Sequence, residues 1–117
     1  MPGYRFYPPA DEAQDEIWQY TVRQWGQAQA EKYLKDLHSH LAQLASKEKQ
    51  WCPLPKALVN PGEVDIPVYF SAFEKHVVFF RELSNGDIGV MALLHEKMNL
   101  PVRLAEDLKK IQSRMLE

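Results

Sequence analysis

The segment Leu94-His95-Glu96-Lys97-Met98-Asn99 sets an imidazole, a carboxylate and an ammonium side by side directly after a strand-forming run, Ile88 to Leu94. An acid–base residue beside a cation at a strand end could be the start of a nuclease site that activates a ribose hydroxyl. The plainer reading is a polar exit from a strand. On these residues alone the plainer reading is favoured, because a histidine next to a glutamate is common at protein surfaces.

The remaining candidates for chemistry are weaker. His38 and His40 lie two apart in a helical pattern, so they point about 200° away from one another and cannot share one ion. His76 and His95 belong to different strands and could be neighbours, but no carboxylate or cysteine pattern completes a metal site. Cys52 has nearby prolines and no obvious histidine partner, which reads as a packed or half-exposed thiol. Ser71 and Ser84 lack the flanking glycines of a nucleophile elbow, and no phosphate-cradling loop is present. Neither a metal nor a cofactor is expected.

The elements that must position these residues follow from periodicity and turn chemistry. Tyr4-Arg5-Phe6-Tyr7 alternates like a short strand at or near an edge, ended by Pro8-Pro9. From Ala10, through Ala13, Ile17, Tyr20 and Val22 or Trp25, apolar residues recur at helical spacing, with Asp11, Glu12, Asp15 and Glu16 favourably placed against the helix dipole. Gly26 stops that helix, and Ala30, Tyr33, Leu34, Leu37, Leu41, Leu44 and Ala45 form the apolar stripe of a second, so the pair is a helical hairpin. Residues 47–62 read as a proline-containing surface loop anchored by Trp51 and Cys52. Val64, Ile66, Val68 and Phe70 then alternate as a strand that Pro67 places at an edge or a bulge, turned back by Phe73 to Lys75.

Two further runs, His76-Val77-Val78-Phe79-Phe80-Arg81 and Ile88 to Leu94, flank Asn85-Gly86, a pair that suits a type I′ turn. Their nearly continuous apolar character predicts cover on both faces for part of their length. After Pro101, Leu104, Leu108, Ile111 and Met115 predict a C-terminal helix over about 101–115. The fold class is therefore α+β: an N-terminal strand, a helical hairpin, a three-stranded antiparallel meander and a C-terminal helix, in two layers.

A chain of 117 residues, 45% apolar and 26% charged, suits one domain, taken as 1–117. Its formal charge of −2 is spread evenly, which speaks against direct DNA binding by this chain alone, since phosphate contacts need Lys and Arg. A single cysteine, a polar and aromatic N-terminal stretch unlike a signal peptide, and no apolar run of about 18 residues make the cytoplasm the expected compartment and set the membrane aside. Trp18, Tyr20, Trp25 and Tyr33 lack interleaved Arg and Lys, so core packing is a better account of them than a stacking platform for nucleic acid.

Several segments in order, Tyr4-Arg5-Phe6 with Ala10-Asp11-Glu12, Ile17-Trp18-Gln19-Tyr20-Thr21 with Trp25-Gly26, Ala28, Ala30, Tyr33 and Leu37, His76 to Arg81, and Leu93 to Met98, resemble the ParE branch of the ParE/RelE superfamily of bacterial toxin–antitoxin toxins. The resemblance covers residues 4–99 and implies the superfamily's RelE/ParE-like fold, two helices against a small antiparallel sheet. It departs in the loop 49–62 and at Asn99, where an acidic residue is common.

The superfamily divides by target, and the resemblance helps to choose. RelE-like members cut ribosome-bound mRNA; they tend to be strongly basic, with arginines in the central strands and a C-terminal tyrosine. Here Val77 and Val78 occupy the equivalent strand, no tyrosine follows Pro101, and only Lys97 stays near the corresponding place. The resemblance thus implies a ParE-like inhibitor of DNA gyrase that binds and traps a cleaved-DNA complex, without catalysis of its own, with plasmid stabilisation as its setting. The alternatives are an mRNA interferase using His95, Glu96 and Lys97, and a degenerate antitoxin-binding module without toxicity.

Implied target contacts are Arg81, His95, Glu96, Lys97, Met98 and Arg103. The implied partner besides gyrase is a cognate antitoxin in a hetero-oligomeric complex, with Trp18, Trp25, Pro67 and Tyr69 as its candidate contacts.

Overall fold

Pro8 and Pro9 open a helix rather than only ending a strand. A proline in the first helical turn lacks an N–H that would have no intrahelical partner, and its fixed φ suits the helix. The computed structural model describes residues 3–54 and 67–114, with side chains of the last helix described to Lys109. Its elements are β1 (Tyr4–Phe6), α1 (Pro8–Trp25), α2 (Gln27–Ala45), β2 (Cys52–Pro53), β3 (Tyr69–Phe73), β4 (His76–Glu82), β5 (Ile88–His95) and α3 (Leu100–Arg114). Periodicity placed the first helix start at Ala10, two residues late, because prolines do not show in an apolar pattern. The Tyr7 carbonyl accepts the amides of Ala10 and Asp11, both at 3.0 Å, and so begins α1.

Gly26 makes the helical hairpin sharp. It caps the end of α1 through its N–H to the Val22 carbonyl at 2.9 Å, and its own carbonyl accepts Ala30 N–H at 3.1 Å to begin α2. One residue serves both helices at φ 92°, a conformation cheap only for glycine.

The strands form one sheet in the order β1-β5-β4-β3-β2. The meander β3-β4-β5 is antiparallel, and β1 joins β5 in parallel through Tyr4↔Ile88, Arg5↔Gly89 and Phe6↔Val90. The two-residue β2, which lies inside the stretch read as loop, pairs Cys52 with Phe70 and Pro53 with Tyr69. It therefore covers part of the edge expected to be open near Pro67. A strand so short carries no periodicity to read. Val64 and Ile66, Gly62, Ile111 and Met115 lie outside the described residues or side chains.

The Asn85-Gly86 connection is not the two-residue type I′ turn that the sequence suggests. That turn needs positive φ at both residues, and only Gly86 has it, at 92°. The strands end earlier, at Glu82, and resume at Ile88, with Leu83 N–H donating to the Asp87 carbonyl at 2.8 Å and Gly86 N–H to the Leu83 carbonyl at 3.0 Å. Asp87 anchors this loop to β1: its Oδ1 accepts Gly3 N–H at 2.8 Å, a bond that first of all holds its carboxyl below the usual range.

Two apolar clusters sit on opposite faces of the sheet. Val78, Phe80, Ile88, Val90 and Leu93 pack with Ile17, Leu37, Leu41 and Leu44 of the hairpin. Their strand neighbours Phe79, Ala92 and Leu94, with Met91, pack with Leu104 and Leu108 of α3. Alternation along the strands dictates this split. A bulge at Phe79/Phe80 sets Phe79 opposite Ala92 and Phe80 opposite Val90, leaving Met91 as the extra residue. Seven of the eight residues of β5 are buried, as expected of a strand covered on both faces.

Candidate functional site

The strand end of β5 delivers His95 to a turn whose backbone is pinned from three directions. Glu96 N–H donates to the Lys75 carbonyl at 2.8 Å, tying the turn to the β3–β4 hairpin. Met98 N–H donates to the His95 carbonyl at 3.0 Å, and Lys97 N–H donates to His95 Nδ1 at 3.1 Å. Helix α3 starts at once, with Arg103 N–H on the Asn99 carbonyl at 3.0 Å. Glu96, Lys97 and Met98 are exposed, so a short polar knob tipped by a methionine stands out between two rigid elements.

His95 lies directly across from His76 in the β4–β5 register, their rings edge to face with centroids 5.2 Å apart. His76 in turn shares a 2.6 Å hydrogen bond between its Nδ1 and the Tyr33 hydroxyl on α2. Burial first, and then the positive charge of His95, push the His76 imidazole down to about 4, against a smaller upward pull from Glu96. Burial also drives the Tyr33 phenol up to about 12, with the Glu74 carboxylate adding to the shift and a Lys75 backbone hydrogen bond opposing it. His76 is thus a neutral spacer between helix and turn.

His38 and His40 point apart, as their spacing requires. His38 bonds the Tyr4 hydroxyl through Nδ1 at 2.8 Å and Gln14 Oε1 through Nε2 at 2.7 Å. His40 bonds Ser71 through Nε2 at 2.9 Å. Burial lowers the pKa of both, with the charge of Lys49 a second cause at His40. Among the described residues no group of three or more His, Cys, Asp or Glu side chains is arranged to hold a metal ion. No helix among them is long and apolar enough to cross a membrane.

The other sequence candidates fall at separate places. Arg103 is exposed on the first turns of α3, with Glu106 Oε1 4.0 Å from its Nε. Arg81 lies opposite Gly89, five residues along β4 from His76, a run of about 17 Å in a strand. It lines an open cleft with Pro67, Tyr69, Glu82, Leu83, Ser84 and Gly86. The structure therefore groups Arg81 with Pro67 and Tyr69 and parts it from His95, Glu96, Lys97 and Met98.

Tyr69 is half-buried and committed to an aromatic cluster, its ring 5.2 Å from Trp51 and 5.9 Å from Phe80. On the hairpin, Trp18 is half-buried, while Trp25 is 72% exposed and Tyr20 57%. The core reading fails for these last two. Trp25 is the last residue of α1, beside the Gly26 cap, and Tyr20 falls outside the buried face marked by Ile17 and Thr21.

Tyr33 was not singled out from sequence as part of a site; His76 was, as a possible neighbour of His95, and the β4–β5 register sets the two opposite one another. Tyr33 sat in the apolar stripe of α2, and only its spacing from the strand, invisible in one dimension, shows that its hydroxyl reaches an imidazole. Trp51 was read as an anchor, and it is one: its indole N–H donates to the Leu44 carbonyl at 2.7 Å.

Comparison with known proteins adds an independent line. A family model described as "ParE toxin of type II toxin-antitoxin system, parDE" matches residues 4–100. The protein named Toxin ParE from Escherichia coli is 33% identical over 93 residues, spanning 80% of this chain and 84% of its own length. Toxin ParE1 from Mycobacterium tuberculosis is 28% identical over 97 residues, spanning 83% of this chain and 92% of its own. Nearly all of α3 lies past the end of the family match.

Proposed function

The chain belongs to the ParE family of type II toxin–antitoxin toxins, and on that premise we propose that it binds DNA gyrase in the cytoplasm and traps it with cleaved DNA. As a toxin–antitoxin member it has an antitoxin partner; the gyrase target and the contact residues are the proposal's own.

One observation carries the choice of binding over catalysis. The neutral His95 ring has one lone pair for a general base, on Nδ1, and it already accepts the Lys97 amide at 3.1 Å. Arg81, the strand cation best suited to steady a developing charge, lies about 17 Å down β4. What remains at the strand end is a fixed, exposed arrangement of Glu96, Lys97 and Met98, suited to meeting a protein surface. Arg103, one turn into α3, extends that surface. On the antitoxin side, exposed Trp25 with Trp18 supplies apolar area of the kind partner helices cover, and the Arg81 cleft with Pro67 and Tyr69 is a second place of contact.

The test is a gyrase assay on supercoiled plasmid with and without the cognate antitoxin, scoring linear DNA after detergent and protease treatment. Antitoxin-reversible linear product is expected. Unchanged gyrase activity at every dose would refute the proposal; defined cuts in ribosome-bound messages would then assign the trio His95, Glu96 and Lys97 to cleavage.

A further inference from the structure

We propose that His95 is a positioning residue whose neutral imidazole locks the β5–α3 turn, and that taking up a proton releases the turn. That turn has three successive amides, of Glu96, Lys97 and Met98. Glu96 and Met98 give theirs to backbone carbonyls, of Lys75 and His95, whereas Lys97 gives its own to a side chain, His95 Nδ1. A backbone N–H is always a donor, so Nδ1 must carry a lone pair, and the ring's one proton sits on Nε2. Adding a second proton turns Nδ1 into a donor facing a donor. The bond is then lost, and the Lys97 amide must seek water.

This geometry reproduces with an imidazole what Asn and Asp do when a side-chain oxygen accepts the amide two residues on. Those residues hold such a turn at any pH near neutrality. Histidine holds it only while neutral.

The surroundings make the release local. Facing His95 from β4 is His76, and behind it from α2 stand Tyr33 and, near Glu74, Lys32. The β3–β4 hairpin contributes Glu74 and Lys75, and the turn itself contributes Glu96 and Lys97. His76, half-buried and held down to about 4, stays neutral in mild acid and adds no second charge beside the turn there. The lock acts on Glu96, Lys97 and Met98, the residues proposed to meet the target. It is nevertheless a property of the isolated chain, and stands or falls apart from the gyrase reading.

The experiment compares the full chain with H95N and H95A by NMR, following exchange of the Lys97 amide with water as pH is lowered from 7.5, each value normalised to an unstructured peptide at the same pH. Asn keeps an acceptor two residues before Lys97 and does not titrate; Ala removes it. At pH 7.5 the wild type and H95N are expected to protect this amide at least about tenfold more than H95A. As pH is lowered from 7.5, wild-type protection falls in step with protonation of the His95 ring, read from its own nitrogen shifts, while H95N keeps its protection. Equal protection in wild type and H95A at pH 7.5, or wild-type protection unchanged once the His95 ring is protonated, overturns the lock. Imidazole nitrogen shifts give a check that needs no variant: at pH 7.5 His95 must carry its proton on Nε2, and a proton on Nδ1 overturns the proposal.

Discussion

Acid should weaken this fold before its carboxylates titrate, and His76 should account for a measurable part of the loss. The unfolded chain binds a proton on this imidazole at the ordinary 6.5, while the folded chain resists until about 4. Between those values the unfolded state holds more protons, so stability falls as pH drops from 6.5 towards 4 and is flat below, as far as this group is concerned. From pH 7 to 5, proton linkage for a shift of that size gives about 1.8 kcal/mol as an upper bound. His76 is only half-buried, and solvent screening brings the expected contribution to about 1 kcal/mol.

His38 and His40, lowered in the same direction, add to the total with the same sign. The assay is urea unfolding at pH 7 and pH 5, followed by tryptophan fluorescence, for the wild type and for H76N. The asparagine oxygen can take the place of Nδ1 towards the Tyr33 hydroxyl without titrating. Wild type should lose about 1 kcal/mol more than H76N between the two pH values. Equal losses in the two proteins, within about 0.3 kcal/mol, would refute the assignment of His76 as a neutral spacer.

Leu41→Ala, at a fully buried position of α2 in the hairpin–sheet core, should cost about 2–5 kcal/mol, read as a lower urea midpoint at unchanged slope. Gly89→Ala places a Cβ 2.7 Å from Tyr7 Cε1 and 3.1 Å from Leu83 Cδ2, and should destabilise by about 1–3 kcal/mol in the same melt; an unaltered midpoint would mean that the Tyr7 ring moves freely. Trp25→Ala should leave stability within about 0.5 kcal/mol because the ring is 72% exposed. The same variant should weaken cognate antitoxin binding at least about tenfold by calorimetry, and unchanged affinity would remove this end of the hairpin from the antitoxin surface.

Elements with strong local signals were legible in the sequence. The apolar stripe of α2 from Ala30 to Ala45 is buried at Ala30, Leu37, Leu41, Leu44 and Ala45, since a 3.6-residue period leaves little freedom in which face meets a core. The same holds for Leu104 and Leu108 of α3 and for the unbroken run of β5. Turns were less legible. Asn85-Gly86 carries a strong type I′ signal, yet the longer Leu83–Asp87 connection is adopted, with Asp87 held by Gly3 across the sheet. The β2 strand had no signal at all, because two residues hold only the pairing that β3 offers them.

The candidate site was legible as a string and not as a place. Residues 95–98 could be named because they follow one another, and adjacency in sequence is adjacency in space. By itself the sequence determined the α+β class, the hairpin, the meander and the family, since these rest on periods and motifs that are local in the chain. Only the tertiary structure decided that β1 joins β5 in parallel, that Trp25 and Tyr20 stay outside the core, that Arg81 belongs with Pro67 and Tyr69, and that Tyr33 stands behind the His76–His95 pair. Each of those facts depends on a contact between residues far apart in the chain, and the register of sheet and hairpin that creates such contacts is set by the packing of all the elements together.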